Sequence, residues 1–303
     1  MAEGVESFRL TWNIIIMLTI YAPAKINLVL EVLGKYDDDY HRIRSIAQTI
    51  TLYDVLSFEL EKEISLECSE ASLQTENLVI KAAKLFQEVT NCRKGVRIRL
   101  HKNIPWGVGL GGGSSDATST LVALNTLWEV NFPPSQLAHL AAKIGSDVPL
   151  FVYGGTTLVE GRGEKVTLLP DVTPTYFVLH VPPLPRMPDK TSKLYGKLSA
   201  ANFTRGQFVH AALQTLEQEK TLPPSLMFNI FEAVAFDVFP QLNKYKGIFE
   251  QTVSLPVHLT GSGPCLFTPV QNKEKANEVC LSMQRRGLEC YVVTSLPRGE
   301  PGG

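Results

Sequence analysis

Residues 105–116 read Pro-Trp-Gly-Val-Gly-Leu-Gly-Gly-Gly-Ser-Ser-Asp, with five glycines in the seven positions 107–113, and a helical run follows at 117–130. Glycines permit positive φ, and a new helix offers unpaired N–H groups at its positive end, so such a stretch can wrap its backbone around an anion. The reading predicts a phosphate site. A flexible surface turn is the plainer alternative, and Ser114, Ser115 and Asp116 could serve simply as N-cap residues.

Two named phosphate loops compete for this segment. The P-loop ends in Gly-Lys-Ser/Thr, whereas Gly113 is followed by Ser114 and Ser115, so that reading fails. The dinucleotide fingerprint G-x-G-x-x-G is formally met by Gly107, Gly109 and Gly112. It also expects a central strand bearing an acidic residue about twenty positions on. Glu129 stands near that distance but runs into Asn131-Phe132-Pro133-Pro134, which cannot be a central strand.

At 303 residues the chain can form two domains with substantial cores. A hydrophobic content of 44%, charged residues at 19% and a net charge of −1 describe a globular protein without the electrostatic footprint of a nucleic-acid binder. The five scattered cysteines lack metal-ligand spacing, which favours a reducing cytoplasm and argues against a structural metal. The apolar stretch at 12–20 is too short to cross a bilayer and lacks the flanks of a signal peptide. Its second half reads as a first strand, with Met17 the expected start and 1–16 an upstream extension.

Strand patterns dominate the first hundred residues, at 18–33, 46–60, 64–68 and 96–100, with an amphipathic helix at 77–88. Helices are expected at 117–130 and 135–144, then strands at 151–153, 157–160 and 165–169. This first unit reads as α+β. A proline-rich passage around a strand at 176–181 leads to helices near 203–220, 225–235 and 241–252. The chain closes with strand, turn, strand, helix and strand over 257–294, the order of a split βαβ layer with helices on one face.

Four constellations could carry chemistry. In 21–30 a period of two places Ile26, Leu28 and Leu30 on one face and Lys25 with Asn27 on the other, either as a solvated edge or as a charge and an amide reaching into a cleft. Tyr40-His41 ends an acidic turn, a pair suited to stacking on and hydrogen-bonding a base. Asp147, in Gly145-Ser146-Asp147-Val148-Pro149, is a turn residue or a carboxylate presented by a rigid bend. Thr260-Gly261-Ser262-Gly263 is a hairpin turn, or a second glycine turn approaching a ligand.

Taken in order, 23–27, 105–116, 145–149 and 259–264 resemble the motifs of the GHMP small-molecule kinases. Tyr40-His41, the 48–54 stretch, Glu76-Asn77-Leu78, Gly154-Gly155 and 160–164 extend the resemblance over 17–294, nearest to the branch that acts on a cytidine diphosphate-linked methylerythritol. The resemblance implies a two-domain α+β GHMP kinase fold. A ribosomal protein S5 domain 2-like ATP-binding domain would occupy 17–170 and a ferredoxin-like domain 171–303.

It further implies transfer of the ATP γ-phosphoryl, with Mg2+, to the 2-hydroxyl of the methylerythritol moiety, with no nucleic-acid or membrane partner and a monomer or weak homodimer. Lys25 and Asp147 match the catalytic pair, lysine polarising the hydroxyl and aspartate accepting its proton. Asn77 matches an adenine contact; Lys102, Pro105, Gly107, Gly109, Leu110, Gly111, Gly112, Gly113, Ser114, Ser115 and Asp116 match the nucleotide site. Asn27, Tyr40, His41, Tyr195, Gly261, Ser262 and Gly263 would meet the acceptor, and no residue is assigned as a resident metal ligand. Asp39 departs from the glycine usual before Tyr-His. The passage at 182–189 lacks the usual Val-Ser-Thr run, although 190–195 resembles a variant of the segment that succeeds that run in the family. Other acceptors of the superfamily, namely homoserine, phosphomevalonate or a sugar, and a non-catalytic sensor, are the competing readings.

Overall fold

The computed structural model describes residues 17–75, 77–187 and 189–299; the proposed extension at 1–16, and Glu76, lie outside them. Strands Met17–Lys35 (β1) and His41–Glu61 (β2) pair antiparallel along nearly their whole length. They are followed by Ile64–Cys68 (β3), helix Leu78–Thr90 (α1), Gly95–His101 (β4) and helix Gly112–Leu127 (α2). Helices Pro134–Ala142 (α3) and Val148–Tyr153 (α4) then lead to strands Thr156–Gly161 (β5) and Lys165–Leu168 (β6). These six strands, joined by a short later one, form a sheet in the order β3-β4-β2-β1, with β5 on β2 and β6 on β5.

Beyond it come Tyr176–Val181 (β7), Lys190–Lys197 (α5), Gln207–Glu219 (α6), Phe228–Asn229 (β8), Glu232–Val238 (α7) and Leu242–Val253 (α8). His258–Leu259 (β9), Leu266–Val270 (β10), Lys273–Gln284 (α9) and Glu289–Thr294 (β11) complete the described chain. The second sheet is antiparallel, β11-β7-β10-β9. Strand alternation divides its two faces: Val178 packs with Phe249 of α8 and Val279 of α9, while Phe177 and Leu179 pack with Ile26 and Val29 of β1. Helices α5, α7, α8 and α9 share the Val178 core, whereas Val209, Ala212 and Leu216 of α6 belong to the core formed with Phe177, Leu179 and β1.

The first helix follows its sequence signals. Asn77 accepts the Val79 N–H through Oδ1, Val79, Ala82, Ala83 and Phe86 form the buried stripe, and Asn91 closes the helix in the left-handed region. The second helix departs from them. It begins at Gly112, five residues before the expected start, with Gly111 as N-cap at φ 74° and no side-chain cap. Ser114, Ser115 and Asp116 are therefore not caps but lie within its first turns. Glycine is a poor helix former, so packing must hold this end; Ser115 and Gly112 are buried there, and Thr118 ties the helix to the Val148 carbonyl.

Three other expectations change. The strand expected at 151–153 is the end of α4, since a short apolar run does not distinguish strand from buried helix by periodicity. The helix expected at 225–235 breaks into a single 3-10 turn, β8 and α7. Asn229 stands in the short strand that pairs with β1 and donates to the Leu259 and Gly261 carbonyls. In β1, the pairing skips a residue between Asn27 and Val29, so Leu28 is bulged out of register. Beyond that bulge the faces exchange, and Leu30 joins Lys25 and Asn27 instead of Ile26 and Leu28.

Candidate active site

Two glycine turns clasp each other beside β1. The Lys25 N–H donates to the Leu110 carbonyl at 2.9 Å, the Asn27 N–H to Thr260 Oγ1 at 3.1 Å, and the Cys265 N–H to the Val108 carbonyl at 3.1 Å. A β-carbon built on Gly109 would stand 2.2 Å from the Thr260 carbonyl oxygen, so only glycine allows this approach. The turn at Thr260–Gly263 is thus both a hairpin connection and a second wall for the first loop.

Lys25 and Asn27 are buried, not a solvated edge. Lys25 Nζ donates to Asn27 Oδ1 at 2.5 Å and stands 3.4 Å from Asp147 Oδ2; Asn27 Nδ2 donates to Ser45 Oγ, which donates to the Val29 carbonyl. The chain of partners fixes the ammonium. Asp147 precedes α4 without capping it, and its side chain is 43% exposed, so its carboxylate is held by Lys25 yet open to a ligand. The turn carrying it is pinned by Gly163, which packs on Ser146, and by α2 through Thr118.

Two clefts adjoin at this carboxylate. One, of about 310 Å³, is lined by Lys25, Asn27, Gly107, Gly109, Gly111, Gly112, Gly113, Gly261 and Ser262. The other, of about 610 Å³, is lined by Asp39, Tyr40, His41, Arg162 and Tyr195. Ser114, Asp147, Thr191 and Tyr195 belong to both. A group seated in one reaches the other past Asp147.

In the wider cleft the His41 ring stacks on Tyr195, and Arg162 lies 5.0 Å over the exposed Tyr40 ring while pairing with Asp38. His41 Nε2 is buried and, among the described residues, has no hydrogen-bond partner. Burial, then the charge of Lys35, lowers the His41 pKa, which favours the neutral ring. Asp39 takes φ 63°, the conformation that a glycine supplies without strain. Its carboxylate pairs with the exposed Lys35.

Other expected residues lie apart from the cleft walls. The Asn77 amide is committed to Val79 and to the Leu73 carbonyl, and its neighbour Leu78 lines the narrower cleft instead. Leu110 is buried in the core and Ser115 is fully buried, so Ser114 is the serine on the cleft wall. Pro105 and Gly263 frame the two turns without lining either cleft. Lys102 is buried between Asp54 and Asp116, beneath Gly112. Burial would lower its pKa, but the two carboxylates win and raise it.

Sequence reasoning missed Leu30, Ser45 and Lys190 at the narrower cleft. The bulge hid Leu30. Lys190 carried a signal, since the 190–195 stretch aligned with the family, but its burial did not show in the pattern. Among the described residues no cluster of His, Cys, Asp and Glu is placed to hold a metal by itself, and no helix is long and apolar enough to cross a membrane.

Two mixed layers, a double glycine clasp and a lysine–aspartate pair at its mouth define a small-molecule kinase of the GHMP class. The family model described as GHMP kinases N terminal domain matches residues 77–155, and that described as GHMP kinases C terminal matches 210–289. A 4-diphosphocytidyl-2-C-methyl-D-erythritol kinase of Dehalococcoides mccartyi is 42% identical over 281 residues, covering 92% of this chain and 99% of the relative. A crystal structure of 4-(cytidine 5'-diphospho)-2C-methyl-D-erythritol kinase aligns with TM-score 0.78 and 32% identity over 91% of this chain and 98% of that one. A homoserine kinase from Cytophaga hutchinsonii aligns with TM-score 0.73 at 18% identity, covering 94% and 96%, a likeness of fold alone. The chain belongs to the 4-diphosphocytidyl-2-C-methyl-D-erythritol kinase family.

Proposed function

We propose that this chain transfers the γ-phosphoryl group of ATP to the 2-hydroxyl of 4-diphosphocytidyl-2-C-methyl-D-erythritol. The observation that carries the reading is the Lys25–Asp147 pair, 3.4 Å apart where a glycine-lined cleft opens into an aromatic one. Family membership supports the choice of acceptor.

The residues fit a triphosphate. A β-carbon on Gly111 would meet the Phe151 ring at 2.9 Å and the Lys25 side chain at 3.0 Å, so glycine there keeps the loop close to Lys25, as a backbone anion site requires. Magnesium, which prefers oxygen ligands and keeps phosphates and waters around it, would be met by the Ser114 hydroxyl and would disperse phosphate charge. The unpartnered His41 Nε2 and the Tyr195 ring fit a base with hydrogen-bonding edges, here the cytosine.

Phosphoryl transfer is mostly positioning and electrostatic stabilisation. Lys25, fixed by Asn27, polarises the acceptor hydroxyl and offsets charge on the transferring group. Asp147 takes the hydroxyl proton as the oxygen bonds to phosphorus, and the bond to the bridging oxygen breaks to release ADP. With the hydroxyl held between Lys25 and Asp147, the geometry of the pair matters most to the transfer.

Phosphorus NMR of the product from ATP, magnesium and the cytidyl substrate tests this. One new phosphomonoester on the 2-hydroxyl, matched by one ADP, is expected. A phosphate on another hydroxyl, or none, refutes it.

A further inference from the structure

Lys190, at the start of α5, lines the narrower cleft together with the glycines and Lys25, and it does not line the aromatic one. Its side chain is buried, and Nζ donates to Ser262 Oγ at 2.7 Å and to the Gly263 carbonyl. An ammonium has three donors. Among the described residues it has no carboxylate partner, in contrast to Lys25, which has Asp147, and Lys102, which has two. A buried cation without a counter-ion is costly unless a ligand supplies the anion.

Resting on the kinase reading, we infer that Lys190 is a second anion-binding lysine of the site, seated to meet the terminal phosphate of the nucleotide. It reaches the clasp through the second glycine turn, whose Gly261 abuts Gly109 and the Lys25 ammonium. Asn229 holds that turn from the opposite side by donating to the Gly261 carbonyl. The cation is therefore fixed to the cleft wall by two acceptors while a third donor remains for a ligand.

The charges around it explain why the free protein tolerates it. Burial, then repulsion from Lys25 on β1, brings Lys190 down to about 7, with Arg186 of the preceding passage adding to the fall. Asp147 ahead of α4 and Cys265 before β10 act the other way, but burial holds the Cys265 thiol neutral by pushing it up. Near neutral pH much of Lys190 is uncharged. A phosphate beside it restores the ammonium, so nucleotide binding should draw in a proton.

The test is calorimetric titration of the full chain with magnesium and a non-hydrolysable ATP analogue at pH 7.5, in buffers of different ionisation enthalpy. Relative to Lys190→Met, the wild type should take up about 0.7 proton more per nucleotide. Lys190→Arg should bind the analogue within about threefold of wild type without that uptake, because guanidinium stays charged. If Lys190→Met does not fold, the arginine variant carries the comparison alone. With ADP the extra uptake should fall by half or more. Equal uptake in wild type and variants overturns the inference, as does equal uptake with ADP or an uptake seen with CDP and not with the ATP analogue. Wild-type binding without proton uptake removes the role of Lys190 but leaves the kinase reading standing, whereas absence of nucleotide binding overturns both.

Discussion

The imidazole of His41 lies on the ring of Tyr195, centroids 4.5 Å apart and planes 28° from parallel, so the first residue of β2 and a residue of α5 form one aromatic wall. Base stacking on such a surface is worth about 1–3 kcal/mol. Tyr195→Ala should raise KM for the cytidyl acceptor about tenfold or more while changing kcat little, and Tyr195→Phe should stay close to wild type. Steady-state rates with the acceptor varied decide this; an unchanged KM in the alanine variant removes Tyr195 from the base site.

Among the described residues Lys25 is the ion-pair partner of Asp147, whose side chain does not cap its helix. Asp147→Asn should therefore fold normally and bind nucleotide, yet lose about 10²–10⁴ in kcat, the usual contribution of a positioned base. Undiminished turnover would end its assignment as proton acceptor.

Gly111 sits at φ 74° with no room for a β-carbon between Phe151 and Lys25. Gly111→Val should weaken affinity for a non-hydrolysable ATP analogue by at least about tenfold, because it both strains the backbone and displaces the lysine. Titration calorimetry reads the effect, and equal affinity would mean that the loop does not contact the phosphates.

Beneath that loop, Asp54 accepts the Asn103 and Ile104 N–H groups through Oδ1 and pairs with Lys102 through Oδ2. Removing one member of a buried ionic network leaves the others uncompensated, so Asp54→Asn should cost about 3–5 kcal/mol in urea unfolding. A loss below about 1 kcal/mol would contradict this view of the cluster.

Asp116 gives the same cluster a pH dependence. Burial, reinforced by repulsion from Asp54, pushes it up to about 7 against the pull of Lys102. A folded pKa above the unfolded value of about 3.9 means that the native chain holds the extra proton between the two. The stabilising contribution is complete below about pH 4 and is lost as pH rises through about 7. Between pH 5 and pH 8 the wild type should thus lose more stability than Asp116→Asn. Parallel urea midpoints in the two proteins would refute the assignment.

Much of the candidate site was legible in the chain because its parts are local: glycines at 107–113 and the Lys25–Asn27 alternation state their conformations in their own residue types. What was hidden depended on tertiary contacts. The bulge at Leu28 reverses which residues face the cleft without altering the alternation that a reader counts. The helix at Gly112 forms against glycine's propensity because its first turn is packed, and α4 is too short for periodicity to identify. Lys190 looks like a surface lysine until the second glycine turn folds over it.

On the proposed reading the two adjoining clefts select an acceptor as well as a reaction. ADP release should be measured with equal concentrations of 4-diphosphocytidyl-2-C-methyl-D-erythritol, homoserine, phosphomevalonate and galactose, in the presence of ATP and magnesium. Turnover with the cytidyl compound should exceed that with the other three by at least about a hundredfold. Comparable or faster release with any of the others, or binding of ATP with release from none, would overturn the assignment.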